Sequence, residues 1–263
     1  MTGAMRCVLI ALAGVFVVQW GVHAGSAAGG DPQFSAEQLV RLSKQVEREI
    51  ASRGARVALV SRVGRPSAEL PEGIEFTHVG IAVYSLITTS DGRTVPGYAM
   101  YNLYQSDERP NTSFLKQDYP LDYYAAVYEL KAGVIIPSPE LQQKLLEVVL
   151  SDIYDQLHNP RYSAISNPFN DQFQNCTEFV LDVMNAAIYD TGDVRLIKAN
   201  EAAYFEPEPV RVGAFKLLLG SIFTPDITTS DHAGPVATAT FGSIARYMQK
   251  YGIANEVFTV TLD

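Results

Sequence analysis

Cysteine is almost absent from this sequence, which contains two in its 263 residues. The first, Cys7, lies in an apolar N-terminal stretch that is typical of a cleaved signal peptide. A mature chain without that stretch keeps one thiol, Cys176, so no disulfide can form within it. A single cysteine in a chain that also contains histidine is a candidate nucleophile, because an imidazole can take up the thiol proton.

Long apolar runs are also scarce, and the one at the N-terminus is short for a membrane span. It follows Arg6, continues to Trp20 and is followed by the small-residue cleavage site Val22-His23-Ala24. This order predicts a signal peptide over residues 1–24 and a flexible linker over residues 25–32. We expect a secreted protein of the bacterial periplasm without a stable membrane span after cleavage. An uncleaved N-terminal anchor is the alternative.

Basic residues are too few for a nucleic-acid surface. The chain has 20 Lys and Arg against 29 Asp and Glu, and its formal net charge is −9. Such acidity argues against non-specific binding to nucleic acid or to anionic lipid. The four histidines are scattered, and no Cys/His group has metal-ligand spacing. We therefore expect neither a metal ion nor another cofactor.

Hydrophobic periodicity predicts one α+β domain over residues 33–263, with a mostly helical C-terminal elaboration from about residue 193. Ser35 and Gln38 form a capping-box pattern at the first helix, and Asp91-Gly92 is a favoured turn pair between two strands. The predicted elements are a helix from Ser35 to Gly54, strands over 57–61, 76–86, 97–105, 124–136 and 256–262, and helices beginning at Ser138, near Cys176 and at Thr240.

His78 stands near the start of the first hairpin strand, and Gly80 shares its face by the two-residue period. If Asp91-Gly92 forms a two-residue loop, Gln105 pairs directly with His78. A bulge would place Tyr104 or Asn102 there instead.

A strand histidine followed about a hundred residues later by a helix-start cysteine suggests cysteine acyl chemistry. In that chemistry a thiolate attacks a carbonyl, an imidazole carries the proton, and a polar residue orients the imidazole. The start of the helix favours the thiolate, and the N–H of Cys176 is placed to bind an oxyanion.

Two motifs carry a family resemblance: Asn-Cys-Thr-Glu-Phe-Val at 175–180 and Thr-His-Val-Gly-Ile-Ala-Val at 77–83. Together they resemble the circularly permuted branch of the NlpC-type papain-like superfamily. That branch includes the lecithin:retinol acyltransferase family, whose motif is Asn-Cys-Glu-His-Phe-Val and whose histidine lies in a His-x-Gly-Ile strand. The wider chain resembles a secreted bacterial family of that branch without an assigned function.

The resemblance implies a permuted papain-like fold in which an antiparallel sheet packs against the helix that carries the cysteine. It makes Cys176 the nucleophile and His78 the base. The family's third member is a polar residue, often histidine, on the strand after the histidine, and this sequence has no histidine there. Gln105 is the first choice from strand pairing and Asn102 the second.

Several residues are candidates for the substrate side of the site. A cluster of tyrosines between positions 98 and 128 could line a groove for a sugar-peptide or acyl chain, although strand propensity favours core packing. His232, beside Asp231, is a candidate for an active-site lid or an alternative base. Glu178 is expected to be solvated. The predicted substrate-binding residues are Asn175, Tyr104, Tyr124 and His232.

Two classes of function follow from these features. The first is a secreted cysteine hydrolase or acyltransferase that acts on an amide or ester bond of a cell-envelope peptide, glycopeptide or acyl group. The alternative is a catalytically inactive periplasmic binding module that uses the same groove. The missing third histidine and the many tyrosines favour this alternative.

Overall fold

The computed structural model describes residues 32–88, 91–211 and 227–262 of the chain. The predicted signal peptide (1–24) and nearly all of the predicted linker (25–32) lie outside these residues. Within the described ranges, no helix combines the length and the apolar character that a bilayer crossing requires.

A six-stranded antiparallel sheet lies at the centre of the fold. Its strands are β1 (Val57–Arg62), β2 (His78–Thr88), β3 (Thr94–Gln105), β4 (Ser113–Asp118), β5 (Lys131–Pro137) and β8 (Ala254–Thr261). They are arranged in the order β4-β3-β2-β1-β5-β8, and the short strands β6 (Glu208–Pro209) and β7 (Ala237–Thr238) pair with each other. The predicted α+β class with an antiparallel sheet is confirmed. Strand β4 was not predicted.

Helices cover both faces of the sheet. The described helices are α1 (Ala36–Ser52), α2 (Pro120–Tyr124), α3 (Pro139–Val149), α4 (Asp152–Gln156), α5 (Cys176–Tyr189), α6 (Val194–Tyr204) and α7 (Phe241–Lys250). Helices α1 and α2 contribute to the core on one face, and α3, α5 and α7 contribute to the core on the other. The predicted capping box of α1 is present, since the Ser35 and Gln38 side chains each bond the other residue's backbone N–H.

The alternation of side chains along β2 decides which core each residue enters. Ile81 packs with Phe179 of α5, whereas Ala82 packs on the opposite face with Leu42 of α1. His78 has the same parity as Ala82, so its ring lies on the α1 and α2 side. It is the first residue of β2, and the start of α5 approaches this end of the strand.

The register of the β2–β3 hairpin differs from the two-residue-loop prediction. Thr88 pairs with Thr94, and Ile81 pairs with Tyr101. Continued along the ladder, this register places Tyr104 across from His78 and moves Gln105 one position further. The paired Thr88 and Thr94 are separated by five residues, an odd number, whereas a two-residue loop at Asp91-Gly92 requires an even number, and this shifts the register by one.

Helix α5 begins at Cys176, as predicted, because Asn175 caps it. The Asn175 side chain accepts hydrogen bonds from the N–H groups of Thr177 and Glu178. The helix is buried on all sides from Cys176 to Ala187. It ends at Tyr189, before Asp190, which adopts the left-handed conformation (φ 51°).

Candidate functional site

The His78 imidazole lies in an aromatic and polar enclosure at the end of β2. The residue is 1% exposed. Its ring stacks on Tyr104, with 4.9 Å between centroids and an interplanar angle of 11°, and is tilted against Tyr123 at 5.3 Å. Arg62, the last residue of β1, pairs with His78 across the strands. The ring is therefore held by neighbours from β1, β3 and α2.

One hydrogen bond determines the tautomer of this imidazole. Nε2 of His78 lies 3.4 Å from Oδ1 of Asn102, whose Nδ2 donates to the Met100 carbonyl at 3.2 Å. Because Oδ1 only accepts, Nε2 must carry the hydrogen, which leaves the lone pair of a neutral ring on Nδ1. Nδ1 is buried and has no hydrogen-bond partner within the described ranges. Nδ1, whose lone pair can accept a proton, is therefore the nitrogen without a hydrogen-bond partner in the described structure.

Gly80 makes this contact with Asn102 sterically possible. A Cβ at position 80 would collide with Oδ1 of Asn102 and approach the Tyr123 ring to 3.2 Å. The glycine of the His-x-Gly-Ile strand thus provides space for the side chain that orients His78.

Cys176 lies beside the backbone of the histidine and is 3% exposed. Its sulfur is 3.8 Å from the carbonyl oxygen of Thr77 and 3.7 Å from Oγ1 of Thr177. Since Nδ1 of His78 has no partner here, the thiol and the imidazole are not hydrogen-bonded to each other. The sulfur therefore adjoins the histidine backbone but does not contact the basic nitrogen.

Burial and charge keep the imidazole neutral. The pKa of His78 is lowered well below its ordinary value, mainly by burial and secondly by the positive charge of Arg62. The hydrogen bond with Asn102 raises the pKa and offsets part of this effect. A neutral ring with its lone pair on Nδ1 can accept a proton but has none to donate from that atom.

The structure separates the two candidates for the residue that orients His78. Gln105 donates from Nε2 to the Pro110 carbonyl at 2.8 Å, away from His78. Asn102, the second choice from the sequence, is the partner of the imidazole.

The four predicted substrate-binding residues have different positions. Tyr104 stacks on His78, whereas Tyr124 packs edge-on against Tyr123 in the core on the α1 side. Asn175 caps α5, and its Nδ2 also donates to Oγ1 of Thr238 at 3.0 Å. Of the four, Tyr104 contacts the imidazole and Asn175 adjoins the cysteine.

His232 anchors a loop in the described structure. Its Nε2 donates to the carbonyl of Ile165 at 2.9 Å. The neighbouring Asp231 accepts at 2.8 Å from the N–H of Asn167 through its carboxylate. These contacts attach the loop at 231–232 to the segment that precedes α5.

A buried charge network lies in and beneath the first turns of α5. Glu178 is 0% exposed, so the expectation that it is solvated was wrong. Nζ of Lys198 lies 2.8 Å from Glu178, 2.6 Å from Asp182 and 3.3 Å from Glu201. Burial, assisted by Asp182, raises the pKa of Glu178 to about 8 although Lys198 acts in the opposite direction. The carboxyl two residues after Cys176 is thus a structural group.

The site predicted from the sequence did not include Arg62 or Lys198, and Tyr123 belonged to it only as a member of the tyrosine cluster between positions 98 and 128. Arg62 ends a strand that is buried over its whole length, and an arginine at the end of an apolar strand is itself a weak signal of a special role. Tyr123 and Lys198 give no comparable signal, because their partners are distant in sequence.

Comparison with known proteins assigns the chain to a family. No curated protein and no solved structure matches the chain. The matching family model is described as an uncharacterized protein conserved in bacteria (DUF2145) and covers residues 49–248. This region includes His78, Asn102 and Cys176, and it spans more than half of the 263 residues. The chain therefore belongs to this bacterial family.

Proposed function

We propose that the protein is a secreted cysteine hydrolase or acyltransferase with a circularly permuted papain-like fold, in which Cys176 is the nucleophile and His78 the general base. The observation that carries the proposal is the bond between His78 and Asn102, which leaves the lone pair on Nδ1 without a partner. A strand histidine followed by a helix-start cysteine beside the same strand end supports the permuted fold.

The reaction begins with rotation of the Cys176 side chain away from the Thr77 carbonyl and towards Nδ1 of His78. As sulfur attacks the acyl carbon of an amide or ester, the thiol proton passes to Nδ1. We assign binding of the developing oxyanion to the N–H of Cys176, which is not one of the two that Asn175 caps.

The intermediate then collapses to a thioester, and the leaving amine or alcohol takes the proton from Nδ1. Water in a hydrolase, or an acceptor amine or alcohol in a transferase, attacks the thioester and gives its proton to Nδ1. Return of that proton to the sulfur restores the thiol. A neutral amide such as Asn102 orients the imidazole but stabilises imidazolium less than a carboxylate does.

A cell-envelope peptide, glycopeptide or acyl group is the substrate class that fits export to the periplasm. The proposal that the protein is exported depends on the signal peptide predicted at residues 1–24. Amide substrates follow from the wider superfamily and acyl substrates from the lecithin:retinol motif.

Alkylation of Cys176 by iodoacetamide at neutral pH tests the proposal. We expect Cys176 to react faster than a simple thiol in solution and to slow in His78→Ala. The proposal fails if Cys176 reacts no faster than the simple thiol and His78→Ala leaves its rate unchanged. His158→Ala is the matched control, because the His158 ring bonds Oγ of Ser113 at 2.9 Å and His158 is not one of the predicted site residues.

A binding module is the second candidate, and a specific observation favours it. His78 and Cys176 are almost fully buried and are not hydrogen-bonded to each other. This candidate predicts that Cys176→Ala retains wild-type binding of envelope fragments and a wild-type phenotype. Loss of the phenotype in Cys176→Ala with retained binding would exclude it.

A further inference from the structure

Arg62 has a position that ordinary packing does not explain. The residue is 2% exposed, although arginine is rarely buried because its charge must leave water. Its guanidinium carbon lies 5.2 Å from the centre of the Tyr123 ring and 5.7 Å from that of Tyr104. Its Nη1 donates to the Tyr123 carbonyl oxygen. The same two rings contact His78, so one enclosure holds both the guanidinium and the imidazole.

The fixed positive charge of Arg62 disfavours a second positive charge on His78 in the same enclosure. Arg62 and His78 are directly paired across β1 and β2. Charges interact strongly where water is excluded, so an imidazolium beside the guanidinium is destabilised.

We propose that Arg62 is a positioning residue of the site, whose buried charge holds His78 as a neutral base. Cys176 then loses its proton to the neutral Nδ1 as the carbon–sulfur bond forms. The site thus differs from one that starts as a thiolate–imidazolium ion pair. The role in turnover rests on the proposed function, whereas the effect of Arg62 on His78 does not.

Among the residues that the structure describes, no other group that contacts the imidazole supplies an opposing negative charge. Burial raises the pKa of Tyr123 well above its ordinary value and raises that of Tyr104, so both phenols are neutral. Cys176 and Asn102 are the remaining neighbours described above. Behind Tyr104, on β4, Lys116 and Asp118 form an ion pair with each other at 2.9 Å. Burial is the larger cause of the lowered pKa of His78, and the positive charge of Arg62 is the second.

Nuclear magnetic resonance of the full chain with isotope-labelled histidine tests the inference without any substrate. In the wild type we expect His78 to titrate well below pH 6.5. In Arg62→Met the midpoint should rise by about one to three pH units, the usual effect of a neighbouring charge. Arg62→Lys, which keeps the charge, should titrate close to the wild type.

Arg56→Met is the matched control, because Arg56 is exposed and lies just before the opposite end of β1. It should leave the His78 midpoint unchanged. The inference is overturned if wild-type His78 titrates at or above pH 6.5, a measurement that needs no variant. It is also overturned if folded Arg62→Met titrates like the wild type, or if Arg56→Met shifts the midpoint equally.

The two proposals fail in different experiments. A His78 midpoint that depends on Arg62, together with Cys176 alkylation that does not depend on His78, contradicts the proposed enzyme and retains the electrostatic role. A His78 midpoint that does not depend on Arg62, together with Cys176 alkylation that does depend on His78, retains the proposed enzyme and removes Arg62 from its mechanism. For a neutral starting pair, alkylation of wild-type Cys176 should show no acidic plateau of thiolate reactivity.

Discussion

Oδ1 of Asn102 lies 3.4 Å from Nε2 of His78, and this contact determines which imidazole nitrogen can accept a proton. Nε2 must donate to the amide oxygen, so the lone pair belongs to Nδ1. The amide is itself oriented by its bond to the Met100 carbonyl. The backbone of β3 therefore holds the Asn102 amide, and that amide decides which nitrogen of His78 carries the hydrogen.

Removal of the Asn102 amide should slow Cys176. In Asn102→Ala the ring loses the bond that holds its tautomer and orientation, at a free-energy cost of about 1 kcal/mol. We expect alkylation by iodoacetamide at neutral pH to slow roughly fivefold, as that energy implies. Gln105→Ala is the matched control and should retain the wild-type rate, because Gln105 bonds Pro110. A larger effect of Gln105→Ala would restore Gln105 as the orienting residue.

Gly80→Ala should have a similar effect on reactivity. The added methyl group would meet Oδ1 of Asn102 and force the amide away from His78. We expect slower alkylation of Cys176 in a protein that remains folded by circular dichroism. Gly97→Ala on β3 is the control, since its Cβ would meet only the flexible end of Ile87. Equal rates in the wild type and a folded Gly80→Ala protein would contradict the steric argument.

His78 should make the protein less stable in acid. Its pKa is lowered in the folded state, so below about pH 6.5 the unfolded chain binds more protons than the folded one. Stability from this group is therefore lost as the pH falls from 6.5 towards the folded pKa, by at most about 1.4 kcal/mol per pH unit. Urea unfolding between pH 7 and pH 5 measures the loss, and His78→Gln should show a flatter profile. Identical profiles for the two proteins would be the contrary result.

Glu178 should give the opposite dependence at alkaline pH. Its folded pKa of about 8 is above its ordinary value, so the folded state holds the proton more firmly. The stability from this proton is fully present below the ordinary carboxyl pKa and is lost as the pH rises through about 8. Glu178→Gln, which replaces a protonated carboxyl by a neutral amide, should weaken this loss in urea unfolding between pH 5 and pH 9. An unchanged alkaline loss in the variant would contradict the assignment.

Lys198→Met should destabilise the fold strongly. The variant leaves buried carboxyl groups without their ammonium partner, which typically costs about 3–5 kcal/mol when one member of a buried pair is removed. Thermal or urea unfolding measures the change. Lys250→Met is the matched control, because Lys250 pairs with Glu206 at the exposed surface and its loss should change little. Equal effects of both substitutions would remove the special role of the buried network.

Much of the local structure was predictable because its determinants are close in sequence. The Ser35–Gln38 capping box, the helix start at Cys176 after Asn175 and the closing strand near the C-terminus depend on neighbouring residues, and the structure has all three. The antiparallel hairpin that carries His78 was also predictable from the turn pair and the alternating pattern.

The remaining features depend on contacts between distant segments. The register of β2 and β3 decided between Asn102 and Gln105, and a shift of one position along a strand sends a side chain to the other face. Glu178 was predicted to be solvated because no local pattern shows that Lys198 covers it.

By itself, the sequence determined the elements that carry His78 and Cys176, since capping, turn chemistry and hydrophobic period act over a few residues. Only the tertiary structure placed Arg62 and Tyr123 against the imidazole and left Nδ1 without a partner. The physical reason is that burial and Coulomb interactions depend on distances in space. The positions of two residues in the sequence do not give the distance between them in the fold.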